Sequence, residues 1–123
     1  DNEVLNDNPS LILEQTNSNS YSVNFNLSFS KVENLKLIWN DTNEVNINNK
    51  IGEKVIDISN NTIVINNLES NKEYYFRLYS QKNNKDYYSD IISTSTKKVN
   101  ITFDSAVANN NLGNLYVSTI KQV

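Results

Sequence analysis

NTIVINNLESNKEYYFRLYS, residues 61–80, is the stretch on which the fold turns. Ile63 and Ile65 lead into Leu68, and after a polar interval Tyr74, Phe76 and Leu78 recur at every second position. A period of two is the side-chain repeat of a strand with one buried face, whereas a helix would space its apolar residues three and four apart. Between the runs, Glu69-Ser70-Asn71-Lys72-Glu73 carries no apolar side chain, so the chain can turn there with its backbone in water. The stretch therefore reads as two strands meeting at a polar corner on the edge of a β-sandwich.

The sequence on either side supports the same architecture. Tyr21, Val23, Phe25, Leu27 and Phe29 alternate without a break with Ser22, Asn24, Asn26 and Ser28, which predicts a half-buried strand over residues 21–29. Leu35, Leu37 and Trp39 predict the next strand, and residues 10–15 (SLILEQ) a first one. Residues 1–9 (DNEVLNDNP) are polar and end in a proline that would interrupt a ladder, and they read as a linker or frayed terminus. Within residues 40–53 a weak strand is expected at 44–47, with Gly52 at a turn of positive φ. Residues 54–58 and 62–66 read as a hairpin across Ser59-Asn60-Asn61. Beyond the corner, residues 81–86 (QKNNKD) read as a polar loop, Tyr87 and Tyr88 lie beside it, and residues 91–96 make the last strand of the sandwich. In residues 99–123 Val99, Ile101 and Phe103 alternate, as do Leu115, Val117 and Thr119. They read as an added hairpin or as strands for another domain or subunit.

One domain suits 123 residues. Two glycines and one proline are few for so many turns, so the turns fall to the 25 asparagines, which tolerate left-handed backbone. The bias toward Asn, Lys, Ile and Tyr points to an AT-rich genome. A formal charge of −3 with a pI near 4.8 and scattered lysines argues against nucleic-acid binding. No apolar run approaches the ~18 residues of a spanning helix, and no signal-peptide pattern is present, so an exported origin would make this a mature segment. With no Cys and no His, thiol nucleophiles, disulfides, imidazole bases and the usual zinc and haem ligands are absent. No pair of carboxylates or Ser-Lys arrangement takes their place, so a catalytic role and a cofactor are not expected.

The corner Leu68-Glu69-Ser70-Asn71-Lys72-Glu73-Tyr74 resembles that of the fibronectin type III family, in which a Leu is followed six residues later by a Tyr whose hydroxyl bonds back to the corner backbone. Residues 74–80 are similar to that family's strand F, and Ser89 with residues 91–96 to its strand G; the resemblance covers roughly residues 11–98. Ser70 stands where the family usually has Pro, and Phe25 or Phe29 where it has a buried Trp. The resemblance implies an all-β, immunoglobulin-like antiparallel sandwich of about seven strands over residues 10–98, with Leu68 and Tyr74 as its structural corner. It also implies a non-catalytic spacer or accessory recognition module of a secreted or cell-surface bacterial protein, with neighbouring domains as partners.

Loops at one end of such sandwiches are common binding surfaces, which makes Asn83, Lys85, Asp86, Tyr87 and Tyr88 the candidate contact for a protein or carbohydrate ligand. Tyr75 and Tyr79, opposite Tyr74 on the same strand, would extend Tyr87 and Tyr88 into an exposed aromatic platform; the alternative is that these rings cover hydrophobic surface or pair across strands. Asp41-Thr42-Asn43-Glu44 alternates oxygen ligands but lacks the acid count and glycine of a calcium loop, and reads as a solvated turn. Four Asn-x-Ser/Thr triplets, at Asn26, Asn40, Asn60 and Asn100, are accounted for by the abundance of Asn. Lys36 would suit an isopeptide cross-link only if it pointed inward, and the alternation turns it to solvent. A different functional class is also open: a self-assembling fibre subunit in which residues 1–15 or 99–123 add as a strand to a neighbouring copy, making an oligomer through the termini.

Overall fold

The computed structural model describes residues 6–99. Eight strands form: β1 (Ser10–Ser18), β2 (Val23–Ser30), β3 (Leu35–Asn40), β4 (Gly52–Val55), β5 (Thr62–Ile65), β6 (Glu73–Lys82), β7 (Lys85–Tyr88) and β8 (Ile92–Ser95). β1-β2-β5 make one antiparallel sheet, and β4-β3-β6 make the other, in which β7 and β8 pair in turn with the far side of β6. The C-terminal hairpin expected in residues 99–123 lies outside the described residues, apart from Val99.

The period-two residues of the three longest alternations meet between the sheets. Val23, Phe25 and Leu27 face Leu35, Leu37, Tyr74, Phe76 and Leu78, all of them buried. Phe25 takes the centre, 4.7 Å from Phe76 between ring centroids, while Phe29 is only partly buried at the margin. Fully burying a side chain of this size is worth about 1.5–3 kcal/mol, so this layer is the dominant stabilising term. Turn chemistry follows the asparagines: of the six non-glycine residues with positive φ among those described, five are Asn and the other is Lys31.

Four sequence expectations are corrected. β4 and β5 do not form a hairpin; they lie in opposite sheets, and residues 56–61 cross between them. Gly52 has no positive φ and starts β4 opposite Trp39, where a methyl group would overlap the indole ring, so its glycine serves a close approach instead of a turn. The strand expected at 44–47 reduces to a single bridge between Asn46 and Asn49, because this loop packs onto the outer face of the large sheet instead of extending it. The loop expected at 81–86 is a tight hairpin: β6 runs on to Lys82, β7 starts at Lys85, and only Asn83 and Asn84 remain, with φ of 53° and 62°. Two successive left-handed residues make the turn whose twist matches paired strands.

Two smaller departures bend the edges. β1 extends beyond residue 15, with a bulge at Thr16. The last strand is split at Ser89–Ile91, and the pairing with β6 slips by one residue, from Tyr79↔Tyr88 to Phe76↔Ile92. Leu78 N–H donates to Ser89 Oγ there, at 2.8 Å, so the interruption leaves that amide satisfied.

The two poles of the sandwich now follow from the pairing. At one lie the start of β1, residues 31–34, residues 56–61 and the Asn83–Asn84 turn. The opposite pole holds residues 19–22, residues 41–51, the corner at 66–72 and the end of β8.

Candidate functional site

The hairpin β6–β7 carries the five candidate contact residues, and its geometry divides them. Lys85 pairs with Lys82 and Tyr87 with Ser80, both on the side of β6 that faces the core, whereas Asp86 pairs with Gln81 and Tyr88 with Tyr79 on the outer side. Asn83 is at the tip. Asn83, Lys85 and Asp86 are exposed, and Tyr87 and Tyr88 are half-buried. Asp86 accepts a 2.6 Å hydrogen bond from Tyr79 Oη, and Tyr87 Oη donates to Asn8 Oδ1 at 3.2 Å. The residues therefore surround one projecting tip and do not line one concave pocket.

Of the two readings of the tyrosines, the fold realises the covering of hydrophobic surface and the cross-strand pair Tyr79↔Tyr88, and not the exposed platform. Tyr79 is buried, and with Ile38 and Val45 it forms a second apolar cluster on the outer face of the large sheet, flanked by Ile47, Tyr75, Tyr88 and Ile91. Residues 41–51 fold over it. The physical cause is a set of polar tethers: Arg77 Nη1 donates to Val45 O (3.1 Å), its Nε and Nη2 donate to Ser89 O (3.0 and 2.8 Å), and Ile47 N–H donates to Tyr88 Oη (3.0 Å). The guanidinium also lies over the Tyr88 ring, 4.5 Å from its centroid, a cation–π contact. Tyr79 and Tyr88 pack at 5.3 Å. Burial, then the Asp86 carboxylate, pushes the Tyr79 phenol well above its ordinary range. Partial burial lowers Arg77 from its ordinary value, and it remains a cation at any physiological pH.

One residue that sequence reasoning passed over organises the pole around the hairpin. Lys82 is buried, and its Nζ donates to Asp7 O and Lys31 O, each at 2.9 Å, with Asp7 Oδ1 at 3.5 Å. Lys31 Nζ donates to Asn6 O, and Tyr87 Oη to Asn8. Residues 6–8, expected to be linker or frayed, are thus held by three side chains of the sandwich. A signal was present: counting by twos from Tyr74 reaches Ser80 and Lys82, so Lys82 had to point inward.

The remaining candidates sit as follows. Tyr74 is buried and its hydroxyl accepts from Glu69 N–H at 2.9 Å, across the corner that Leu68 packs under. Thr96 Oγ1 closes the same corner, accepting from Lys72 N–H and donating to Glu69 O. Lys36 lies on the outer face, 3.3 Å from Glu53; this lysine, foremost, holds the Glu53 carboxyl below its ordinary range. Asp41 pairs with Lys72 at 3.5 Å, and among the described residues no three acidic side chains gather in a way that would hold a metal ion. Asn40 is buried, Asn26 is exposed in β2, and Asn60 is exposed in the crossing at 56–61.

No protein-family model matches the sequence, and no curated protein matches it. Solved structures do. A two-domain fibronectin type III segment of chicken tenascin aligns with a TM-score of 0.56 and 17% identity, over 72% of this chain and 49% of that one, so this chain spans about half of that segment. A computer-redesigned β-sandwich protein aligns at 0.53 and 17%, over 75% of this chain and 96% of its own. The fibronectin type III domain derived from the human KIAA0970 protein aligns at 0.54 and 11%, over 76% and 77%. These likenesses establish the fold as an immunoglobulin-like, fibronectin type III-like sandwich.

Proposed function

We propose that this chain is a non-catalytic module of a secreted or cell-surface bacterial protein, serving as a spacer that sets the orientation of neighbouring domains and as an accessory recognition domain. The observation that carries the reading is the path of the chain through the fold. It enters beside Ser30 at one pole, where Lys31, Lys82 and Tyr87 hold residues 6–8, and leaves beside Glu73 at the opposite pole. Neighbours attached at opposite poles are held apart by the length of the sandwich. A held linker also transmits direction, since each immobilised residue removes backbone freedom worth about 1–2 kcal/mol. The inventory without Cys or His supports the absence of catalysis, and ligand contact, to protein or carbohydrate, falls on Asn83, Lys85 and Asp86 at the hairpin tip, with Tyr87 and Tyr88 bracing it from either side.

The test joins two copies of residues 1–123 in tandem and measures the particle by small-angle scattering. The expected result is a maximum dimension close to twice that of one copy, with a distance distribution that broadens when Lys82→Met is introduced in the second copy. A folded-back compact dimer, or a distribution indifferent to Lys82, would overturn the spacer reading. Light scattering of the single chain addresses the competing class. The outer edges of β4 and β5, unpaired among the described residues, are what would receive a strand from another copy, and concentration-dependent oligomers would favour that fibre-subunit reading.

A further inference from the structure

The edges of the two sheets are protected unequally. β4 carries Glu53 and Lys54, β7 carries Lys85 and Asp86, and β8 lies against β1, where Lys97 N–H donates to Asn19 O. Charge and cover of this kind keep an edge strand from pairing with a foreign one. β5 has neither in its own sequence. It ends its sheet with no strand beside it among the described residues. From Ile58 to Leu68 there is no charged residue, proline or glycine around the β-branched run Thr62-Ile63-Val64-Ile65, a composition that favours strand addition. Leu27 N–H donates to Asn61 O, and Phe25↔Ile63 and Val23↔Ile65 follow in the same ladder. The odd-numbered residues therefore turn their backbone groups to β2, and Thr62 and Val64 turn theirs outward. Four of the seven large apolar side chains exposed among the described residues, Ile51, Val55, Ile58 and Val64, come from β4, β5 and the residues bordering them.

One side chain reaches this edge from the other sheet. Lys54, opposite Leu37 on the inner face of β4, donates from Nζ to Val64 O at 3.3 Å. Two hollows of about 270 and 250 Å³ adjoin that bridge, both lined by Lys54, Val64 and Asn66. Lys36, Lys50 and Lys72 each pair with a carboxylate, whereas Lys54 has no such partner among the described residues.

We infer that β5 is a self-pairing edge for a second copy of this chain, and that the Lys54 ammonium holds it shut. The strand is its own complement. Antiparallel about a two-fold axis through Val64, Val64 meets Val64, Ile63 meets Ile65 and Thr62 meets Asn66, so apolar side chains face apolar ones and no like charges oppose within the strand. That register joins the outward N–H and C=O groups of Thr62 and Val64, and it continues the sheet β1-β2-β5 across two copies. Lys54 obstructs it twice over. Its Nζ occupies the Val64 carbonyl that lies at the axis, and pairing would carry both Lys54 ammoniums toward that axis, where like charges repel. Two copies joined by this flank lie side by side with both poles free, so the inference does not rest on the spacer reading.

Light scattering of the full chain at low salt, across a concentration series, compares the parent with Lys54→Met and Lys54→Arg. The parent and Lys54→Arg should keep the mass of one copy, and Lys54→Met should approach twice that mass as concentration rises. Hydrogen exchange then locates the contact: in Lys54→Met the Thr62 and Val64 amides should slow about tenfold or more with concentration, while those of β7 keep their rates. Adding Val64→Lys to Lys54→Met sets a new charge on the axis and should restore the single copy. A Lys54→Met chain that stays single overturns the inference, as does a parent or Lys54→Arg chain that pairs as readily. Protection that appears away from residues 62–66 overturns it too, and growth past two copies assigns association to the fibre-subunit class and overturns it equally. Salt supplies a second measurement that needs no substitution. Raising ionic strength from about 0.01 M to about 1 M shortens the screening length from about 30 Å to about 3 Å. The parent should then shift toward the two-copy mass, with the same slowing at Thr62 and Val64, and a parent indifferent to salt counts against the lysine charge as the guard.

Discussion

Strand β6 buries both of its faces, for different reasons. Its inner side chains, Tyr74, Phe76 and Leu78, are sealed by the opposing sheet, with Phe76 touching Phe25, Trp39 and Tyr74. Its outer ones, Tyr75, Arg77 and Tyr79, are covered by residues 41–51, a loop with a single β-bridge. Arg77 and the Tyr88 hydroxyl hold the cover by hydrogen bonds to its backbone. Inner burial rests on apolar area and needs no directional contact. Outer burial depends on a few bonds being made, so it should fail locally and first.

Removing Phe76 should have the largest effect. Phe76→Ala deletes a ring with no exposure, and a cost of about 3–5 kcal/mol is expected by chemical denaturation, with both faces lost in one transition. A loss below about 1 kcal/mol would mean that the inner layer is looser than its packing implies. Arg77→Gln comes next. It leaves Val45 O and Ser89 O without their donor, at about 1–3 kcal/mol, and amides of residues 41–51 should exchange faster while Phe76 keeps its protection. Equal acceleration on both faces would dissolve the distinction.

The smallest effect is on the Tyr79 phenol. Its hydrogen bond to Asp86 is worth about 1 kcal/mol, which Tyr79→Phe should remove at neutral pH. Its folded-state pKa is raised, by burial first, so the folded state keeps a proton that an unfolded tyrosine releases near pH ~10. Its contribution is therefore complete below that pH and lost as pH rises toward the folded value. Stability should fall above pH ~10 in the parent, and less steeply in Tyr79→Phe; parallel curves would show that another group controls alkaline unfolding.

What could be read in advance divides along the same line. The inner faces of β2, β3 and β6 were legible because period-two alternation is local. So was the reliance on asparagine for left-handed turns. The hairpin at Asn83–Asn84 was hidden because Gln81, Lys82, Lys85 and Asp86 are polar enough to pass for loop while still laddering. Gly52 was misread because its need for a missing side chain comes from Trp39, a strand away. The tyrosines announced an aromatic cluster, but nothing in their spacing announced its cover.

Alternation, corner spacing and turn residues were enough to specify strands, their buried faces and the sandwich class, because each is a relation among residues within about ten positions of one another. Sheet membership of β4 and β5, the covering of the outer tyrosines and the holding of the N-terminal segment required the folded molecule. Those features rest on contacts such as Arg77 to Val45, 32 residues apart, and Lys82 to Asp7, 75 apart. Such pairs leave no period in the chain, and they form only once packing of the core has brought the distant surfaces together.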